Sequence, residues 1–142
     1  MTVIFSKKCE YGLRAVLYLS ARGKDVVVSA DEISKKLGIP REFISKILQN
    51  LTKFKLVKSR KGNMGGFYIA KSPSKIRLLD IVKAIDGLKV FESCVLGFPK
   101  CSPVNPCPVH NKWGKLREDA YKMLAEENLE DFKMKTIRKI NL

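Results

Sequence analysis

The strongest constraint on the fold lies between residues 29 and 53, where two short amphipathic segments are joined across only Gly38, Ile39 and Pro40. Ser29, followed three residues later by Glu32, has the pattern of a capping box at a helix start. That helix continues through Ile33 to Leu37, and Gly38 supplies its stop. Pro40 opens the next helix, where a missing N–H costs nothing, and the pattern runs to about Lys53. Phe43, Ile44, Ile47, Leu48 and Leu51 recur at helical spacing and are expected to face a core. Glu42, Ser45, Lys46, Gln49 and Lys53 lie opposite. Two helices so joined form a helix-turn-helix whose second helix is the recognition helix. Its exposed face offers a hydroxyl, an amide, an amine and a carboxylate, groups able to reach base edges. Arg41, Glu42, Ser45, Lys46 and Gln49 are therefore candidate DNA contacts, although Glu42 could instead pair with Lys46 four residues on.

The flanking segments extend this motif. A helix from about Ser6 to Ala21 carries Leu13, Val16 and Leu17 on its apolar face, widened by Tyr11, Ala15 and Leu19. Cys9 lies on or beside that face as a small hydrophobe. The β-branched run Val26 to Val28 reads as a short strand. After the recognition helix, Leu56 to Arg60 and Phe67 to Ala70 read as strands around a turn from Gly62 to Gly66. This hairpin is placed as a wing, with Arg60, Lys61 and Asn63 as candidate backbone contacts. Leu78 to Ile85 forms a short helix stopped by Gly87. A longer helix follows from about Asn111 to Leu129. Trp113, Leu116, Ala120, Met123 or Leu124, and Glu127 mark a seam of roughly heptad spacing. A second copy of the chain is the simplest partner for that seam. The expected class is mainly α with a small β-hairpin wing: a winged helix-turn-helix domain plus a long dimerisation helix. Its segments are a DNA-binding domain over residues 1–89, a cysteine-rich loop over 90–110, the dimerisation helix over 111–132 and a basic tail over 133–142.

Charge supports a polyanionic partner. The 142 residues carry 28 Lys and Arg against 14 Asp and Glu, a net +14, and such an excess draws in nucleic acid without specifying sequence. No apolar run approaches the ~20 residues of a membrane span. No signal-peptide pattern is present, so a cytoplasmic location with reduced thiols is expected. No nucleophile–base pair, phosphate loop or cofactor fingerprint marks an enzyme, and there is a single histidine.

In that setting the cysteines point to metal. Cys94, Cys101 and Cys107 fall within fourteen residues, with His110 just beyond, in a loop containing Pro99, Pro103, Pro106 and Pro108. Such a loop has few ways to order itself, and a bound metal supplies the missing constraint. Thiolates and an imidazole suit zinc or an iron–sulfur cluster. The absence of Cys-x-x-Cys favours a cluster over zinc and argues against a thioredoxin-like enzyme.

Together these features resemble the winged-helix regulator family that includes IscR, NsrR and CymR. The resemblance rests on Glu10-Tyr11-Gly12-Leu13-Arg14, Ile39 through Leu51, Gly65-Gly66-Phe67, Asp80-Ile81 through Asp86-Gly87, and Cys107-Pro108-Val109-His110. It implies a homodimer crossed through the long helices on a near-palindromic double-stranded DNA operator. It also implies an iron–sulfur cluster on Cys94, Cys101 and Cys107 that senses cluster status, nitric oxide or redox state. His110 matches the histidine of IscR-like members, which resembles a 2Fe–2S arrangement and is the favoured fourth ligand. Glu10 falls where NsrR-like members use an acidic ligand, sometimes from the partner subunit, which resembles a 4Fe–4S arrangement. Glu10 also stands four residues before Arg14, the favourable order for a helical ion pair. The alternative reading is a zinc-stapled nucleic-acid-binding protein without redox sensing.

Overall fold

A computed structural model of the chain describes residues 4–140; the extreme ends of the expected first and last segments, residues 1–3 and 141–142, lie outside the described residues. The first helix, α1 (Lys7–Arg22), begins at Ser6, whose hydroxyl accepts from the Cys9 N–H at 3.0 Å. Ser6 is itself held by the Asp86 carboxylate, which accepts from its N–H and its hydroxyl. Ala15, Val16, Tyr18 and Leu19 are buried along the face that α1 turns to the core.

The helix-turn-helix follows as α2 (Ala30–Leu37) and α3 (Arg41–Lys53). Gly38 takes a left-handed conformation between them (φ +66°), and its N–H closes on the Ser34 carbonyl at 2.9 Å. Ile39 is buried, and the Ser34 hydroxyl donates to its carbonyl at 2.6 Å, which locks the turn. Ile44, Ile47, Leu48 and Leu51 are buried as their spacing demands. Phe43 is not: it is 53% exposed and lies 6.1 Å from the Tyr11 ring. It sits at the margin of the apolar stripe, where the neighbouring ring of α1 already closes the core. The start of α2 also departs from the sequence pattern. The Ser29 hydroxyl accepts from the Glu32 N–H at 3.1 Å, but the Glu32 carboxylate turns to Arg22 and to the Tyr18 hydroxyl, 2.7 Å away. A cation and a buried phenol outcompete the single amide that a reciprocal capping box would offer.

The wing is a two-stranded antiparallel hairpin, β1 (Lys58–Arg60) and β2 (Gly66–Tyr68), with Ser59 opposite Phe67. The run from Val26 to Val28 forms no strand of its own. Val28 makes one antiparallel bridge to Phe67, through two hydrogen bonds of 2.8 Å. A Cβ on Gly66 would lie 2.2 Å from the Val28 carbonyl oxygen, so this approach admits only glycine. After a 3-10 turn at Pro73–Lys75, α4 (Leu78–Ile85) starts where the Asp80 carboxylate accepts from the Arg77 N–H at 2.9 Å.

The C-terminal region divides into two helices rather than one helix and a tail. The fifth, α5 (His110–Glu126), ends early, and α6 (Leu129–Lys139) follows. Asn128 and Asp131 cap the start of α6 reciprocally, each side chain accepting from the other's N–H at 3.0 Å. Leu129 is fully buried, and its N–H donates to the Ile76 carbonyl at 2.8 Å. The basic stretch from Lys133 is thus helical, with Phe132 and Ile140 lining a groove beside Leu17 of α1 and Leu37 of α2.

Leu124 of α5 is buried against Cys9, Leu79 and Val82, a small second core that ties α5 to α1 and α4. That leaves Leu116 and Met123, 59% and 57% exposed, as the open part of the expected seam.

Candidate metal centre and nucleic-acid interface

The loop between α4 and α5 brings its three cysteines together. The Cys94, Cys101 and Cys107 sulfurs all lie within 4.8 Å of one another. Cys94 Sγ is 3.5 Å from Cys107 Sγ, and the Cys107 N–H donates to Cys101 Sγ at 3.3 Å. His110, the first residue of α5, sets its Nδ1 3.1 Å from Cys101 Sγ. The helix therefore delivers the imidazole, while turns around the prolines deliver the thiols. Between them is a recess of about 20 Å³, lined also by Glu92, Trp113 and Arg117. A larger cavity of about 340 Å³ opens beside Cys101 and Cys107, walled by Phe98, Lys100, Pro99, Pro106 and Pro108.

The thiols differ electrostatically. Partial desolvation works against the Cys94 thiolate, but the Phe98 and Leu96 N–H groups and the other two thiols outweigh it and lower the pKa to about 7. Cys107 is raised, first by desolvation and then by the thiols of Cys101 and Cys94. The donor set suits a soft metal or cluster, which binds thiolate and imidazole. Cys9 stands apart: burial, reinforced by Asp86, pushes its thiol up to about 12. It is an inert core residue, fully buried.

Glu10 is not part of this thiol group. It lies on α1, with its carboxylate 3.3 Å from Lys7 Nζ. The ion pair expected with Arg14 does not form, because Arg14 packs over the Tyr11 ring, 5.3 Å from its centroid.

Arg41, Glu42, Lys46 and Gln49 are exposed along α3, and Ser45 is half-buried. Arg60, Lys61 and Asn63 are exposed on the wing. Glu42 makes no ion pair with Lys46 among the described residues. One set lies on a helix and the other on the wing, and both are rich in cations or hydrogen-bonding groups.

A family model described as "Rrf2: Iron-dependent Transcriptional regulator" matches residues 5–134. The chain belongs to the Rrf2 family. Rrf2 regulators bind DNA, and this chain is a transcriptional regulator rather than an enzyme. A protein of Aquifex aeolicus described as "Putative HTH-type transcriptional regulator" is 38% identical over 131 residues, covering 91% of this chain and 90% of that protein. A Mycobacterium tuberculosis protein of the same description is 33% identical, covering 89% of this chain and 78% of its own length. The fold is similar to that of CymR, the global cysteine regulator of B. subtilis, with a TM-score of 0.76 at 22% identity, covering 94% of this chain and 98% of that one. It is also similar to T. potens IscR, with a TM-score of 0.70 at 24% identity, covering 89% and 83%. Among the described residues of this Rrf2 chain, no helix is long and apolar enough to cross a membrane.

Two residues at the thiol centre escaped the sequence reading. Trp113, expected in the seam, instead donates its indole N–H to the Ser93 carbonyl at 2.9 Å. Arg117 donates to the same carbonyl at 3.3 Å. Their spacing, one helical turn apart and following His110, was the available signal: all three project from one side of α5.

Proposed function

We propose that this Rrf2 protein is a cytoplasmic, homodimeric, sequence-specific DNA-binding regulator whose thiol centre carries an iron–sulfur cluster and couples the state of that cluster to operator affinity. One observation carries the reading: three thiols converge at the root of α5, with the His110 imidazole against Cys101, on a family fold that regulates transcription. Cys94, Cys101, Cys107 and His110 would hold the cluster, with 2Fe–2S favoured. In the 4Fe–4S alternative, Glu10 would come from the partner subunit. When bound, such a cluster supplies a redox-active and nitric-oxide-reactive centre.

The residues of the chain do the coupling. Trp113 and Arg117 pin the loop at Ser93 to α5. Leu124 locks α5 to Leu79 and Val82 of α4 and to Cys9 of α1, and Ile44, Ile47 and Leu48 of α3 share the main core with α1 and α4. A displaced loop therefore tilts α5 against the domain that carries α3. With Leu116 and Met123 of two copies packed together, that tilt changes the separation of two recognition helices, to which a two-half-site operator is sensitive. Arg41, Glu42, Ser45, Lys46 and Gln49 would contact the major groove, and Arg60, Lys61 and Asn63 the backbone.

The test has two parts. An anaerobic absorption spectrum, with iron, sulfide and zinc quantified on the same sample, is expected to show matched iron and sulfide that Cys94→Ser or Cys107→Ser abolishes. Equal DNA affinity of loaded, oxidised and metal-free protein would refute the coupling. On DNA, Lys46→Ala or Gln49→Ala is expected to cost about 1–3 kcal/mol and relax sequence preference. Lys61→Ala should weaken binding to all sequences and lower the salt slope by about 1.

A second reading, a zinc-stapled DNA-binding protein without sensing, is favoured by the size of the central recess. About 20 Å³ holds one ion, and tetrahedral zinc with bonds of about 2.3 Å sets thiolates roughly 3.8 Å apart. Colourless protein with one zinc per chain would establish this alternative. The 340 Å³ cavity beside Cys101 and Cys107 is the room the cluster reading draws on.

A further inference from the structure

Arg117 occupies an unusual position for a cation. It lines the same small recess as Cys94, Cys101, Cys107 and His110. One guanidinium nitrogen donates to the Ser93 carbonyl at 3.3 Å, and Ser93 immediately precedes Cys94. Its Nε is buried and has no hydrogen-bond partner. No ion pair claims its charge among the described residues, although Glu92 lines the recess too. A buried donor without an acceptor is costly, about 1–3 kcal/mol. Such a donor beside three sulfurs signals an acceptor belonging to another state of the site.

We propose that Arg117 is a positioning residue of the thiol centre, its guanidinium serving as hydrogen-bond donor and counter-charge to the thiolate ligand set when metal is bound. Three thiolates leave a divalent ion with net negative charge, in a recess that Arg117 itself lines. A guanidinium there offsets that charge and offers a planar fork of N–H donors to the sulfurs. The shared Ser93 carbonyl keeps it in place, accepting from both the Trp113 indole and the Arg117 guanidinium. Ligand-orienting partners of this kind carry a 10–100-fold share of metal affinity. The inference rests on the thiol centre binding metal, whichever metal that is.

The test is a titration of the reduced, metal-free full chain with Co²⁺ under anaerobic conditions, read by the sulfur-to-cobalt charge-transfer band. Arg117→Gln is expected to weaken Co²⁺ binding 10–100-fold, and Arg117→Lys to recover a substantial part of that loss by restoring the charge. In iron–sulfur-reconstituted protein, Arg117→Gln should move the midpoint potential to a more negative value, since a cation that favours the reduced form has gone. A structural role alone would leave the potential in place and make the Lys variant no better than Gln. Either of those results overturns the proposal, as does Co²⁺ binding by Arg117→Gln equal to wild type. If Arg117→Gln lowers the melting temperature of the metal-free chain, the comparison of Arg117→Lys with wild type decides the matter on a better-preserved fold. Failure of the wild-type chain to bind Co²⁺ at all would overturn the metal centre itself, a distinguishable outcome.

Discussion

Replacing Gly66 by alanine tests how the wing is fastened to the helical domain. An added Cβ would lie 2.2 Å from the Val28 oxygen, 2.6 Å from the Val28 carbonyl carbon and 2.8 Å from the Ser29 nitrogen. All three are backbone atoms, so no side chain can swing aside. The strand must retreat until the contact exceeds 3.0 Å, and that movement breaks the bridge in which Val28 and Phe67 exchange two hydrogen bonds of 2.8 Å. Each such bond contributes about 1 kcal/mol net, and leaving its buried groups unpaired costs more. Phe67 and Val28, only 7% and 1% exposed, also lose packing. The expected destabilisation is about 2–4 kcal/mol. For a chain of this size that corresponds to a fall in melting temperature of roughly 6–12 °C, measured by calorimetry on metal-free protein. DNA binding should weaken as well, because Arg60 and Lys61 ride on the displaced hairpin. A melting temperature within about 2 °C of wild type would refute the reasoning and mean that the wing is not clamped through Val28.

Two further substitutions probe other joints. Leu124→Ala empties a site that is 1% exposed between α5, α1 and α4, and should cost about 2–4 kcal/mol in urea denaturation; a loss below 1 kcal/mol would mean α5 is not anchored there. Tyr18→Phe removes the hydroxyl that donates to Glu32 and should cost about 1 kcal/mol at pH 8. Burial, and then the bond to Glu32, hold the Tyr18 phenol above its usual 10. The native state therefore keeps a proton that the unfolded chain releases, and the wild-type advantage should shrink as pH rises from about 10 through the folded value. An advantage that is constant between pH 8 and 11 would count against this coupling.

Local patterns were legible wherever one stretch of chain carries its own physics. Gly38 and Pro40 marked the turn because a left-handed stop and an N–H-free start are properties of single residues. The stripe Ile44, Ile47, Leu48 and Leu51 was legible because helical periodicity puts those positions on one face. The grouping of Cys94, Cys101 and Cys107 followed from their proximity in a proline-rich loop. The capping pair Asn128 and Asp131 was also written in the sequence, yet the lysine-rich run beyond it read as a tail. What makes α6 a helix is partly remote, since its first residue, Leu129, is buried and bonded to Ile76.

Competition between distant partners was decided only in three dimensions. Glu32 could satisfy the end of its own helix until folding brought Arg22 and Tyr18 beside it. Phe43 belonged to the apolar stripe until the ring of Tyr11 filled that margin. Trp113 fitted a seam until the Ser93 carbonyl, twenty residues away, came within reach of its indole N–H. Arg117 came to line the thiol recess by the same convergence. Sequence by itself determined the helix-turn-helix, its turn chemistry and the candidate ligands, because those depend on neighbours along the chain. Tertiary structure decided which partner each polar or aromatic side chain takes, because that choice depends on which groups folding carries within 3 to 6 Å.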